Sequence, residues 1–260
     1  MFAPSEKEPH RYDQDVLGER RAMGDEEYRA LYAGAAGKRW LLDASALYLY
    51  SPEALDAAAG IDGAHAVIAL RNPVEQMASW HGLMVATGTE RHGSLAEALE
   101  AESADSPFTR RYSEIARYAP YVERWLDRLG ADRVHVVLFE EFAPDHGGDA
   151  RERFLRDLGL DPEELGPFPH LNTYRHPAPL RLSGSAWMRR GVRTLLPARA
   201  RRQLWWTATI VLTPHGERPP VPPMLRERLE RDLDADVRRL GDVLGRDLHA
   251  LWFGSQQPRS

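Results

Sequence analysis

Apolar and polar positions along the 260 residues fall into blocks that read alternately as strand and helix. The clearest block is His65–Leu70, a short apolar run that stops at Arg71. Asn72-Pro73-Val74-Glu75 follows as a helix start: Asn72 suits the N-cap, proline the first helical position, and Glu75 completes a capping box. A buried strand is therefore predicted to feed a helix over 73–84 through a tight turn, with Arg71 at the strand's carboxyl end. Arg133–Phe139, rich in valine, reads as a further buried strand, and Arg39–Ala44 as a short apolar one. Phe108, Tyr112, Ile115, Ala119, Val122, Leu126 and Leu129 alternate at spacings of four and three, a helical core face interrupted at Pro120. Leu225, Leu229, Leu233, Val237, Leu240 and Leu244 mark a long helix that Gly245 stops. Shorter helices are expected over Asp25–Tyr32, from the Ser51-Pro52 cap to Ala59, over Ser94–Ala101 and over 149–158, and residues 1–24 read as a polar, irregular segment. Strands alternating with helices imply an α/β fold with a parallel sheet.

Composition narrows the function without naming it. The length fits one domain, 1–260, with a sizeable core. A net charge of −5 and a pI near 6.1 argue against a general nucleic-acid binder. The chain has no cysteine, which excludes disulfides, thiolate nucleophiles and thiolate-bound metal. No apolar run approaches the roughly 20 residues of a membrane span, and the polar N-terminus is unlike a signal peptide, so a cytoplasmic location is expected. Lys7 and Lys38 are the only lysines, leaving few candidates for a catalytic ammonium.

The carboxyl ends of strands are where open α/β sheets bind ligands. Arg71 stands at such an end, and Ser79 lies two turns into the following helix on the face of Glu75. A guanidinium fork and a hydroxyl converging there suit a phosphate group, although a strand-end ion pair and a surface serine account for the pattern equally well. Gly34-Ala35-Ala36-Gly37-Lys38-Arg39 is superficially like a phosphate-binding loop, but it lacks the Ser/Thr after lysine and precedes a strand, so it reads as a linker. Glu140-Glu141 suits a helix start better than a metal site, and the histidines show no ligand spacing, so no metal is expected. Six arginines between Arg189 and Arg202 read as a solvated face; Thr207–Thr213 is strand-like by propensity.

Arg71-Asn72-Pro73-Val74-Glu75 with Ser79 and His81 resembles the 3′-phosphate motif of sulfotransferases that use 3′-phosphoadenosine-5′-phosphosulfate (PAPS). Other segments agree in order and spacing. Lys7-Glu8-Pro9-His10 is similar to the family's KEPHFF segment. Asp43-Ala44-Ser45 with Tyr48-Leu49-Tyr50-Ser51-Pro52 resembles its EASPxYLYSP segment. Arg117-Tyr118 before Trp125, and Gly245-Arg246-Asp247-Leu248 before Leu251-Trp252, match a GRY…W helix and the usual C-terminal ending. The resemblance runs from about residue 5 to residue 252 and points to bacterial members of the group that includes the heparan sulfate sulfotransferases.

The resemblance implies a single P-loop-nucleotide-transferase-like domain, a parallel sheet flanked by helices, with PAPS as cosubstrate and no metal. It implies Glu8 as the base, Lys7 as a positive charge near the transferring group and His10 as shaping the acceptor site. Arg71 and Ser79 would hold the 3′-phosphate, Tyr118 would approach the nucleotide, and Asp43 and Ser45 would border the substrate cleft. The segment 163–221 would be a variable, substrate-facing helical region, in which 207–213 would be helical. The acceptor would be a carbohydrate or small molecule bearing a hydroxyl or amine.

The family's first strand and its loop, G-x-x-(K/R)-(S/T)-G-T-T, precede the KEPH segment by some tens of residues, whereas here that segment begins at residue 7. That strand is central in the family, between the equivalents of His65–Leu70 and Arg133–Phe139. Without it these two strands are expected to expose unpaired backbone or to close across the gap. Met1 is accordingly expected to be a late start, with the functional enzyme longer. A non-catalytic nucleotide- or partner-binding remnant and a nucleotide-kinase-like enzyme are the alternatives.

Overall fold

The computed structural model describes residues 1–17, 23–142, 148–161, 163 and 220–254. Two strands, β1 (Ala66–Leu70) and β2 (Val134–Leu138), pair in parallel, with Ala66 opposite Val134 and Leu70 opposite Leu138. Of the two expected arrangements the strands adopt the second: they close directly on one another. The ten described helices are α1 (Gln14–Leu17), α2 (Asp25–Leu31), α3 (Pro52–Ala59), α4 (Pro73–Ala86), α5 (Leu95–Glu100), α6 (Tyr112–Ile115), α7 (Ala119–Leu129), α8 (Gly148–Asp157), α9 (Pro223–Leu244) and α10 (Leu248–Phe253). The Arg189–Arg202 segment, 207–213 and most of 163–221 lie outside the described residues.

The sheet is one-sided among the described residues. Ile68, Leu70, Val134 and Leu138 point into a core shared with Ala54 and Leu55 of α3, Val122 and Trp125 of α7, Val237 and Leu240 of α9, and Leu248 and Trp252 of α10. Val67 and Ala69, on the other face, are exposed. The two faces follow from the period-two alternation of a strand. At the amino end of the strands His65 Nδ1 and His135 Nε2 lie 2.9 Å apart, with Trp40 edge-on to His65 and Phe154 of α8 edge-on to His135. A second apolar cluster joins Val74 and Met77 of α4, Ala98 of α5, Tyr112 of α6 and Leu229 and Leu233 of α9. The long helix α9 thus spans both clusters and fixes α4, and so the strand-end turn, against the sheet.

Two expectations are corrected. The segment Arg39–Ala44 is not a strand: Leu41 makes a single parallel bridge to Phe2. Phe2 N–H donates to Trp40 O and Phe2 O accepts from Leu42 N–H, and the next donor in that ladder would be Pro4, which has no N–H. The face running from Phe108 breaks earlier than Pro120, into a 3₁₀ turn (Phe108–Arg110), α6 and α7. The proline ring would meet the carbonyl of Ala116 in a continuous helix; set in the first turn of α7 it displaces no hydrogen bond. Asp236 of α9 supplies the missing cap, accepting from the N–H groups of Tyr118 and Ala119 at 2.9 and 3.4 Å.

Candidate active site

Glu8-Pro9-His10 forms a turn in which Glu8 (φ 56°) and His10 (φ 52°) both take the left-handed backbone, the only described non-glycine residues that do. Each such residue costs on the order of 1–3 kcal/mol and persists only where its surroundings hold it. Those surroundings are hydroxyls from the segment 43–48. His10 N–H donates to Ser45 Oγ at 3.0 Å, and Arg11 and Tyr12 N–H donate to Tyr48 Oη at 3.0 and 3.3 Å. Ser45 Oγ and Tyr48 Oη in turn donate to the two oxygens of Asp43, at 2.7 and 2.9 Å. Asp43 also accepts from Ser45 N–H and Tyr28 Oη. Tyr28 and Tyr48 titrate above the ordinary phenol, first because they are buried and further because Asp43 faces them, so both remain protonated donors.

The same turn aligns three ionisable groups. His10 Nδ1 donates to Asp13 Oδ2 at 2.7 Å, and His10 Nε2 lies 3.4 Å from Glu8 Oε2. Burial disfavours the imidazolium, but hydrogen bonds to Asp13 and Glu8, with their charges, outweigh it and raise His10 from 6.5 to about 9. The histidine is therefore cationic at neutral pH. Asp13 is 1% exposed while the Glu8 side chain keeps 36% of its surface open, so the line runs from a buried carboxylate to an accessible one. Such a line can hold one carboxylate at the surface and aim it. Lys7 is exposed beside it.

Arg71 and Asn72 build a separate feature at the carboxyl ends of β1 and β2. Asn72 Oδ1 caps α4 through the N–H groups of Val74 and Glu75, at 2.9 and 3.3 Å. Its Nδ2 donates to Trp252 O at 2.7 Å, and its own N–H donates to Glu140 Oε1 at 2.9 Å. The turn is thus clamped by β2's end on one side and α10 on the other. Glu75 does not complete a capping box; its carboxylate pairs with Arg226 of α9. The Arg71 guanidinium lies 5.0 Å over the exposed Phe139 ring, and its Nε is buried without a hydrogen-bond partner. Among the described residues no carboxylate pairs with it within 4.0 Å, an arrangement suited to an incoming anion.

The expected site residues thus fall into two groups. Glu8, His10, Asp43 and Ser45 form one hydrogen-bonded unit, whose Tyr12 and Tyr48 pack against the core cluster that holds Leu70. Arg71 stands at the strand end, and Ser79 lies on α4, half-buried. Tyr118 is 2% exposed, edge-on to Trp252, with Arg71 and Glu140 close enough to bias its hydroxyl. Sequence reasoning gave Asp13 no part, and it did not foresee the contacts of Tyr48, quoted only within its segment, or of Glu140, read as a helix start. Asp13 carried a signal in its spacing, three residues after His10; the roles of Tyr48 and Glu140 depend on contacts 37 and 68 residues away in sequence. Glu140 and Glu141 tie loops together, Glu140 to Asn72 and Glu141 to Arg246. Among the described residues no group of three or more His, Asp or Glu side chains is placed to hold a metal ion, and no helix is long and apolar enough to cross a membrane.

No family model matches the chain, and no curated protein matches it. Among solved structures, a sulfotransferase from Alicyclobacillus acidocaldarius is similar at 23% identity and a TM-score of 0.66, over 97% of this chain and 88% of that one. At that identity the likeness is one of fold, and it shows that this chain folds as that sulfotransferase does.

Proposed function

We propose that the protein is a PAPS-dependent sulfotransferase that acts on a hydroxyl- or amine-bearing carbohydrate or small molecule. The observation that carries this reading is the Asp13–His10–Glu8 line, held in a strained turn with its outer carboxylate open to solvent. In this reading Glu8 accepts the proton of the attacking acceptor group, a role contributing typically about 10²–10⁴-fold. The His10 imidazolium, fixed by Asp13, orients the Glu8 carboxylate before the acceptor arrives. Lys7 adds positive charge near the transferring group, and positioning and electrostatics supply most of the remaining rate. Arg71, whose buried Nε lacks a partner, and Ser79 hold the 3′-phosphate, with Tyr118 behind them against Trp252. PAPS supplies the sulfuryl group and leaves as adenosine 3′,5′-bisphosphate.

Calorimetric titration of adenosine 3′,5′-bisphosphate into the 260-residue chain, beside Arg71→Ala, tests the reading. Micromolar binding that Arg71→Ala weakens at least tenfold is the expected outcome. No binding by a folded chain, or binding indifferent to Arg71→Ala, overturns it.

A further inference from the structure

Three successive backbone N–H groups after Pro9, those of His10, Arg11 and Tyr12, are satisfied by two side-chain hydroxyls, Ser45 Oγ and Tyr48 Oη. A hydroxyl that accepts from an amide must send its own proton elsewhere. Here both send it to one carboxylate: Ser45 Oγ donates to Asp43 Oδ1 and Tyr48 Oη to Asp43 Oδ2. Tyr28 Oη and Ser45 N–H donate to the same two oxygens, so neither oxygen of Asp43 lacks a donor from within the chain. Ser45 is buried, with its hydroxyl engaged both as acceptor and as donor. The acidic and hydroxyl residues that the sequence places at a substrate cleft are thus turned inward, toward the backbone of the Glu8-Pro9-His10 turn.

We propose that Asp43 is the positioning residue of the Glu8–His10 pair, acting through Ser45 and Tyr48, and that it does not itself touch the acceptor. This deepens the sulfotransferase reading and takes its catalytic meaning from it. The carboxylate orients two hydroxyls so that their lone pairs face the three amides. Those amides hold the left-handed backbone at His10, and that backbone brings His10 Nε2 to within 3.4 Å of Glu8. Without the network the turn relaxes toward ordinary φ, and Glu8 swings away from the imidazole, while Asp13 stays with it three residues on.

Among the described residues the charged groups in contact with the His10 ring are Glu8 and Asp13, so its titration reports directly on the turn and needs no acceptor substrate. The experiment follows the His10 ring nitrogens by NMR against pH in the full chain, for wild type, Tyr48→Phe, Ser45→Ala and Tyr32→Phe. Tyr32 borders the same tyrosine cluster, donating to Leu42 O and Tyr28 Oη, but makes no hydrogen bond to the turn. The expected result is a wild-type midpoint near 9, retained in Tyr32→Phe and lowered toward 6.5 in Tyr48→Phe and Ser45→Ala. A wild-type midpoint near 6.5, or folded Tyr48→Phe and Ser45→Ala proteins that both titrate as wild type, overturns the proposal. Should Tyr48→Phe fail to fold, Ser45→Ala carries the test, because of the three amide ties it removes only that of His10 and leaves those of Tyr48 in place. Amide hydrogen exchange in the wild type is a further check: protection at His10, Arg11 and Tyr12 supports the network, and exchange at free-loop rates overturns it. Failure of the sulfotransferase reading would appear in the nucleotide titration, with the His10 midpoints unaffected.

Discussion

His10 and Glu90 illustrate how single residues here set opposite pH dependences. The folded pKa of His10 is raised to about 9. Its contribution to stability is therefore complete below 6.5 and is lost as pH rises through about 9. Glu90 is buried, which alone would raise its pKa; the N–H groups of His92 and Arg91, the Tyr112 hydroxyl and the His92 ring override this and lower it to about 2. Its contribution is complete above 4.5 and is lost as pH falls toward 2. Thermal unfolding measured across pH should thus show an acid limb that Glu90→Gln flattens and an alkaline limb that it leaves in place. Neither group was singled out for stability by its sequence neighbourhood. Glu90 lies in an ordinary-looking loop, and its partner Tyr112 is 22 residues away.

Helix ends were the most legible elements, because a cap is a local interaction between residues two or three apart. Ser51, Asn72 and Asp247 all accept from backbone N–H groups of their own first turns, and Ser94 with Glu97 makes a full capping box. Gly245 ends α9 in the left-handed conformation, as its position after the leucine repeat indicated. The ends differ in what else they hold. Ser94 serves only α5, whereas buried Asn72 also ties Trp252 O and Glu140 to the strand end. Ser94→Ala should cost about 1 kcal/mol. Asn72→Ala should cost about 2 kcal/mol or more, since it also leaves the Trp252 carbonyl unpaired. Denaturant unfolding of the two variants would expose the difference. The cap of α7 was not legible, because it comes from Asp236, 118 positions from Tyr118.

In the whole molecule, the strands, the long helix α9 and the short α10 share one core, and Trp252 sits within it at 1% exposure. Its ring meets Tyr118 and its carbonyl holds Asn72, so α10 closes the core and clamps the strand-end turn together. Trp252→Ala should lower the stability by about 3–5 kcal/mol, read as a fall in the denaturant midpoint at unchanged slope. A cost near zero would mean that α10 does not close the core.

What the sequence by itself determined is the set of local choices: period-two and period-3.6 patterns, caps and stops. From these followed both strands, the helices α2 to α5, α8 and α9, the apolar face that α6 and α7 share, and the candidacy of Arg71 at a strand end, whereas Glu8 and His10 stood out only through the family resemblance. Such signals are legible because their partners lie within a turn or two along the chain. The tertiary structure alone decided that β1 and β2 pair directly, that residues 39–44 make one bridge because Pro4 cannot donate, and that Asp43 and Ser45 face the backbone of the Glu8–His10 turn. It likewise decided that Arg71 keeps a buried nitrogen without a partner. The physical reason is that hydrogen-bond partners and burial are set by which distant segments share a core, and a linear pattern of residue types specifies a face to be buried without specifying what will cover it.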